Sequence, residues 1–147
     1  MAKKSIRFNS VVKYTESKED QAAKKLAESQ HNLQDQQQRL QSLQQFHDEY
    51  AQRFNLLGQQ GMQAGQVRDY HAFVGKLKGA VEQQQRMVKI AQGNVEEKKF
   101  AWIKTRTETQ KANIILARYV SHEQRLEDKI EQKDGDEHAQ RNHKSHH

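Results

Sequence analysis

Apolar residues recur at every seventh position through most of the second half of the chain. Val67 opens the series, which continues through Val74, Val81, Val88, Val95, Trp102, Leu116 and Ile130. A seven-residue apolar period is typical of an α-helix that packs along another helix in a coiled coil. The sequence contains no proline, so no strong helix breaker interrupts the pattern. These features restrict the chain to long, paired helices.

A companion series completes the predicted seam of this second helix: Tyr70, Leu77, Gln84, Ala91, Lys98, Thr105, Ala112, Tyr119 and Leu126. The first half has two similar series. One holds Val12, Leu26, Leu33, Leu40, His47 and Phe54, and the other holds Phe8, Ala22, Leu43, Tyr50 and Leu57. Polar residues interrupt the seam at Glu19, Ser29, Gln36, Thr109 and Glu123. Polar seam residues lower stability while they fix the register.

The two patterns are separated by the sequence GQQGMQAGQ, which contains three glycines. Glycine favours a helix C-terminus and a turn, so we expect helix one over about 8–57, a turn at 58–66 and helix two over about 67–133. Residues beyond about 119 then have no partner on helix one, and 134–147 forms a flexible tail. The sequence predicts one all-α domain over 1–147, an elongated antiparallel two-helix coiled coil, or helical hairpin, with an overhanging C-terminal helix.

Composition excludes several classes of function. Only 33% of the residues are hydrophobic and none is cysteine, so thiolate metal sites and a cysteine nucleophile are absent. A bare hairpin offers no concave pocket, and no phosphate-binding glycine loop is present. We therefore expect no enzyme, no cofactor, no small-molecule substrate and no metal site. The tail histidines His138, His143, His146 and His147 are interpreted as a polar tail. No signal or membrane-spanning segment is recognisable, which favours the cytoplasm.

The net charge of +6 is concentrated near the N-terminus, at Lys3, Lys4, Arg7, Lys13, Lys18, Lys24 and Lys25. No long basic stripe interleaved with stacking aromatic residues follows, so nucleic acid is not the expected partner. The cluster is either a solvated face or a surface that attracts an acidic protein. Phosphate or lipid headgroups are the weaker alternative.

Aromatic residues near the turn exceed what a two-helix seam can bury. Phe46 and Phe73 lie one position beside the seam, close to Tyr50 and Tyr70. An exposed apolar cluster on a polar protein marks a partner site. The alternative is that these side chains fold over the edge of the seam and thicken the core.

Four segments together resemble the FliJ family of the flagellar type III export apparatus. They are LQQFHDEYAQRF at the end of helix one, DYHAFVGKLKGAVEQQQRMV at the start of helix two, Trp102 within that helix, and EQKDGDEHAQR near the C-terminus. The resemblance runs over nearly the whole chain. It implies a coiled coil similar to the stalk subunit of rotary ATPases. It also implies that the protein promotes assembly of a hexameric export ATPase and links this ATPase to the membrane-embedded export gate.

The resemblance also implies binding residues. The gate-binding positions are Leu43, Phe46, Tyr50, Phe73, Leu77 and Ala80. The positions that contact the ATPase ring are Lys3, Lys4, Arg7, Arg125, Lys129, Gln132 and Lys133. The implied location is the cytoplasmic face of the inner membrane at the flagellar base. An escort that binds export chaperones or their cargo, a generic basic coiled-coil adaptor and an RNA-binding hairpin remain as alternatives.

Overall fold

The computed structural model describes residues 3–145, with the side chains of 3–143. Helix α1 spans Lys4–Gln59 and helix α2 spans Ala64–Ser145, and no strand occurs among the described residues. The two helices pack against each other, which confirms the predicted all-α helical hairpin. Neither helix contains a stretch that is both long and apolar enough to span a bilayer, over the residues described.

The turn is shorter than the sequence predicts, because Gly58 and Gly65 are helical and only residues 60–63 connect α1 to α2. Gly61 has a φ of +92°, a conformation that strains residues with a Cβ atom. Its amide donates a hydrogen bond to the Gly58 carbonyl at 3.2 Å and so closes the last turn of α1. Gly61 therefore supplies the positive φ that the turn needs, and Gly58 and Gly65 belong to the two helices.

Helix α2 also continues beyond residue 133, where the sequence analysis ends it. Residues 134–145 contain no proline, and the run from Glu137 to Arg141 includes the good helix formers Glu, Ala, Gln and Arg, so the helix can continue past Gly135. Side chains from Gln124 to His143 are all exposed. The flexibility predicted for this tail stays a prediction, and residues 146–147 lie outside the described part of the chain.

The described chain groups into two compact units, and the single domain predicted from the sequence stays a prediction. The turn unit contains residues 22–102, and the terminal unit contains the described residues up to Gln21 together with those from Ile103 onwards. The boundaries fall close to the polar seam positions Glu19, Lys98 and Thr105.

In the turn unit the seam buries Leu77, Val88 and Ala91, as the heptad predicts. Two of the predicted polar interruptions meet each other across the helices. The Gln84 side-chain amide donates to the Gln36 side-chain oxygen at 2.7 Å and to the Gln36 backbone carbonyl at 3.0 Å. The pair satisfies polar groups that would otherwise be costly to bury.

In the terminal unit Val12 and Ala112 are buried, and Phe8 packs edge-on against Tyr119 with ring centres 5.5 Å apart. Thr109 is also buried, and its hydroxyl donates to the Thr105 carbonyl at 3.1 Å. A Thr side chain can thus occupy the seam without leaving an unsatisfied hydroxyl.

Three predicted seam residues are instead exposed, namely Leu57, Leu126 and Ile130. Leu57 lies in the last turn of α1, where the chain leaves the helix. Lys3, just before the start of α1, pairs with Glu127, so Leu126 and Ile130 lie beside the very beginning of α1. Few side chains of α1 can therefore cover them. The Lys3–Glu127 pair also shows that contacts between the two helices continue past residue 119, the limit expected from the position of the turn.

Leu77→Ala should lower the free energy of unfolding by about 2–5 kcal/mol, because it removes a side chain that is only 7% exposed and leaves a cavity. Leu56→Ala is the matched control, since Leu56 is 62% exposed and its truncation should change stability by no more than about 0.5 kcal/mol. Chemical denaturation of both variants, followed by circular dichroism, measures the difference. Equal losses would contradict the assignment of Leu77 to the core.

Candidate protein-interaction surfaces

Five aromatic residues gather beside the turn and form what we call the aromatic cluster: Phe46, Tyr50, Phe54, Tyr70 and Phe73. The first three recur at intervals of four residues and therefore share one face of α1. The ring of Tyr70 on α2 is nearly parallel to the ring of Phe54 at 3.4 Å and to the ring of Tyr50 at 5.4 Å, measured between centres. Stacking of this kind ties the helices together next to the turn.

The outer part of the aromatic cluster remains accessible. Phe46 and Phe73 meet edge-on with ring centres 6.2 Å apart, and Phe73 also lies 4.6 Å from Tyr50. Phe46 is nevertheless 47% exposed and Phe73 is 38% exposed. The two interpretations of these residues from the sequence are therefore compatible. Each ring packs on its neighbours with one side and presents the other side to solvent.

The six residues implied for gate binding are sorted by the structure into three groups. Phe46 and Phe73 are exposed, Leu43, Tyr50 and Ala80 are half-buried, and Leu77 is buried. All six lie in the turn unit. Leu77 therefore supports the surface from beneath and offers a partner little area.

The sequence analysis missed the side chains that surround the cluster nearest the turn. A groove of about 260 Å³ is lined by Tyr50, Phe54 and Tyr70 together with Arg53, Leu57, Met62, Gln66 and Asp69. His71 packs on Tyr70, with ring centres 5.5 Å apart. The available signal was position, because Arg53 and Asp69 each directly precede an aromatic seam residue.

The beginning of α1 is held by two glutamates from α2. Glu123 accepts hydrogen bonds from the Ser5 backbone amide at 3.1 Å and from the Ser5 hydroxyl at 2.6 Å. The ammonium group of Lys3 donates to Glu127 at 2.5 Å. The first amides of a helix lack partners within the helix and carry partial positive charge, so a carboxylate is a favourable cap there. Glu123, which interrupts the heptad, has this structural use.

These contacts shift two pKa values in the terminal unit. The hydrogen bond from the Ser5 hydroxyl lowers the pKa of Glu123 below its usual 4.5. The hydrogen bond to Glu127 raises the pKa of Lys3 above its usual 10.5. The contribution of Glu123 to stability is present above pH 4.5 and is lost as the pH falls through its lowered pKa. That of Lys3 is present below pH 10.5 and is lost as the pH rises through its raised pKa.

The other residues implied for ATPase binding are exposed in the same unit: Lys4, Arg7, Arg125, Lys129, Gln132 and Lys133. Lys3 differs from them because Glu127 already occupies its ammonium group. Arg125 also borders a shallow groove with Ile114 and His122. The terminal unit thus presents several cations that no described carboxylate neutralises within ion-pair distance.

The histidines of the described part of the chain do not gather into a ligand set. Among the described residues, no group of three or more His, Asp or Glu side chains is placed to hold a metal ion. His47 is half-buried, and its ring nitrogen Nδ1 lies 3.3 Å from a carboxylate oxygen of Asp48. His146 and His147, which the sequence analysis included in the polar tail, lie outside the described residues.

Comparison with known proteins identifies a family for this chain. The family model described as "Flagellar FliJ protein" matches residues 3–147, which is essentially the whole chain. No curated protein and no solved structure matches the chain.

Ser5→Ala should raise the pKa of Glu123 towards its usual value of 4.5, because it removes the hydroxyl donor that contributes most to the shift. The pKa should stay somewhat lowered, since the backbone amide of residue 5 still donates. NMR titration of the Glu123 side-chain carboxyl carbon measures this.

Ser10→Ala is the matched control for this change. The Ser10 hydroxyl donates only within its own helix, to the Arg7 carbonyl at 2.8 Å, so its removal should leave the titration of Glu123 unchanged. If both variants titrate like the unmodified protein, the Ser5 hydroxyl is not the cause of the shift.

Proposed function

Because the chain belongs to the FliJ family and is therefore a component of the flagellar export apparatus, we propose that it acts there as a non-enzymatic central stalk. In this role it promotes assembly of the export ATPase ring and couples the ring to the export gate. It works in the cytoplasm, at the inner face of the membrane. The helical hairpin supports the proposal because it offers two kinds of binding surface and little enclosed space for chemistry.

The observation that carries the proposal is the exposed Phe46–Phe73 pair on a stacked aromatic base. Aromatic side chains contribute most to binding when they are held in one orientation before the partner arrives. Tyr50 packs on both phenylalanines and so restricts the motion of the pair. We assign this surface of the turn unit to the export gate, with Leu43 and Ala80 at its border.

The ATPase ring is assigned to the terminal unit. Lys4 and Arg7 on α1 and Arg125, Lys129, Gln132 and Lys133 on α2 supply exposed donors, most of them cationic. Complementary charge mainly increases the rate and specificity of association. Lys3 contributes indirectly, since its ion pair with Glu127 positions the first turn of α1.

Phe73→Ala should weaken binding of the full chain to the export gate by about 30-fold, the effect of losing about 2 kcal/mol from an interface anchor. Pull-down of the gate's cytoplasmic part, beside a thermal melt, separates binding from folding. A deletion strain complemented with this variant should swim poorly.

Phe100→Ala is the control for Phe73→Ala. Phe100 is 74% exposed in the same unit but lies outside the aromatic cluster, so its loss should leave gate binding intact. A steep fall in the melting temperature of Phe73→Ala, with unchanged binding per folded molecule, would make Phe73 a core residue. If Phe73→Ala loses binding to export chaperones and keeps binding to the gate, the escort role is favoured.

Reversing the charge of four exposed residues, Lys4, Arg7, Arg125 and Lys129, should reduce stimulation of the ATPase at low salt without changing helicity. Exposed charge pairs contribute only about 0.2–1 kcal/mol each, so several must change together. The control reverses the charge of four exposed residues in the turn unit: Lys24, Arg39, Lys89 and Lys99. It changes the net charge by the same amount. Equal stimulation by both quadruple variants would contradict the assignment.

A further inference from the structure

A continuous stripe of exposed residues runs along the first turns of α1. Its members are spaced by three or four residues, which places them on one face of the helix, and we call them the basic stripe: Lys4, Arg7, Val11, Tyr14 and Lys18. All five side chains are exposed and all five lie in the terminal unit. The stripe contains no carboxylate.

Tyr14 is the one aromatic residue of this stripe. It is 62% exposed, although a tyrosine ring would gain from burial, and Val11 beside it is 43% exposed. The ammonium group of Lys18 lies 4.7 Å from the centre of the Tyr14 ring. This cation–π contact steadies the ring from one side and leaves its remaining surface open.

The carboxylates of this segment lie elsewhere on the helix. Helical geometry places Glu16 and Asp20 away from the stripe, on the flank that also carries Lys13. Lys4, Arg7 and Lys18 form no ion pair with a described carboxylate. The seven basic residues near the N-terminus are thus sorted by the fold, and only some of them share the face that carries Tyr14.

We propose that the basic stripe is a docking surface for an acidic protein surface, with Tyr14 as the anchor that enters an apolar recess between carboxylates. The proposal rests on the proposed function, because the acidic surface is assigned to the export ATPase ring. It adds Val11, Tyr14 and Lys18 to the residues that meet this partner. Tyrosine and arginine are the side chains most enriched among residues that dominate protein interfaces.

An anionic membrane is the less suitable partner. Helices that lie in a lipid interface bury a broad apolar face, but the apolar face of α1 here packs against α2 through Phe8 and Val12. The basic stripe offers lipid only Val11 and the Tyr14 ring. A carboxylate-lined recess uses both the cations and the single aromatic anchor.

Binding of the full chain to the export ATPase tests the proposal. Tyr14→Ala should weaken binding at least tenfold, whereas Tyr14→Phe, which keeps the ring, should bind within about threefold of the unmodified protein. Lys18→Glu should weaken binding about threefold to tenfold at low salt and reduce the dependence of affinity on salt. Circular dichroism melts should be unchanged, since both side chains are exposed.

Lys13→Glu is the matched control, because it makes the same change of charge five residues away on the other flank. It should bind like the unmodified protein. Equal losses for Lys13→Glu and Lys18→Glu would overturn the proposal in favour of a general charge effect. Full binding and ATPase stimulation by Tyr14→Ala would overturn it while leaving the stalk role intact.

Two further outcomes are informative. If the unmodified chain neither binds nor stimulates the ATPase, both the stalk role and this proposal fail. Co-sedimentation with phosphatidylglycerol vesicles gives the other arm. Loss of vesicle binding in Tyr14→Ala and Lys18→Glu, with ATPase binding unchanged, would overturn the proposal and assign the stripe to lipid.

Discussion

Packing between only two helices limits how much each of them can bury. A two-helix seam covers about two positions in seven, so the remaining side chains face solvent whatever their chemistry. Leu77, Val88, Ala91 and Ala112 occupy the seam and are buried, whereas Phe100, on the face of α2 opposite the seam, is 74% exposed. In such a fold a large apolar side chain off the seam cannot be absorbed into a core. A single exposed side chain of this kind is ordinary, but the aromatic cluster groups several of them, and this grouping is why we propose partner binding there.

The same limit explains the polar residues on the seam. A lone buried amide or carboxylate would be costly, but two of these interruptions meet a defined partner on the other helix. Gln36 pairs with Gln84 across the turn unit, and Glu123 caps the first turn of α1 in the terminal unit. Both contacts exist in only one register of the two helices. We infer that these residues trade some stability for a fixed alignment, which also fixes where the exposed aromatic residues lie.

The heptad and the glycine-containing segment between its two halves together predict the all-α hairpin and the buried faces. The heptad fails where burial depends on what lies opposite. Leu126 and Ile130 continue the pattern but are exposed, because periodicity identifies the inward face of a helix without showing that a partner reaches it. The location of the turn is a different case. Its three glycines look equivalent in sequence, but only Gly61 among them has a positive φ. The exposed rings of Phe46 and Phe73 follow from their position beside the seam, but the stacking of Tyr70 on Phe54 requires the register.

Exposure by itself does not identify the side chains that bind. Phe100 is the more exposed phenylalanine, but Phe73 is held by Tyr50 and Phe46 and so loses less conformational freedom when a partner covers it. Tyr14 is restrained less than Phe73 but more than Phe100, because one cation–π contact holds its ring. The cations around it favour a negatively charged partner. When these rings are ranked by restraint and not by accessible area, Phe73 and Tyr14 come first as the proposed anchors, because contacts within the chain already restrict their motion. Outside the seam, a two-helix protein thus provides rigid recognition only where its own exposed side chains hold one another.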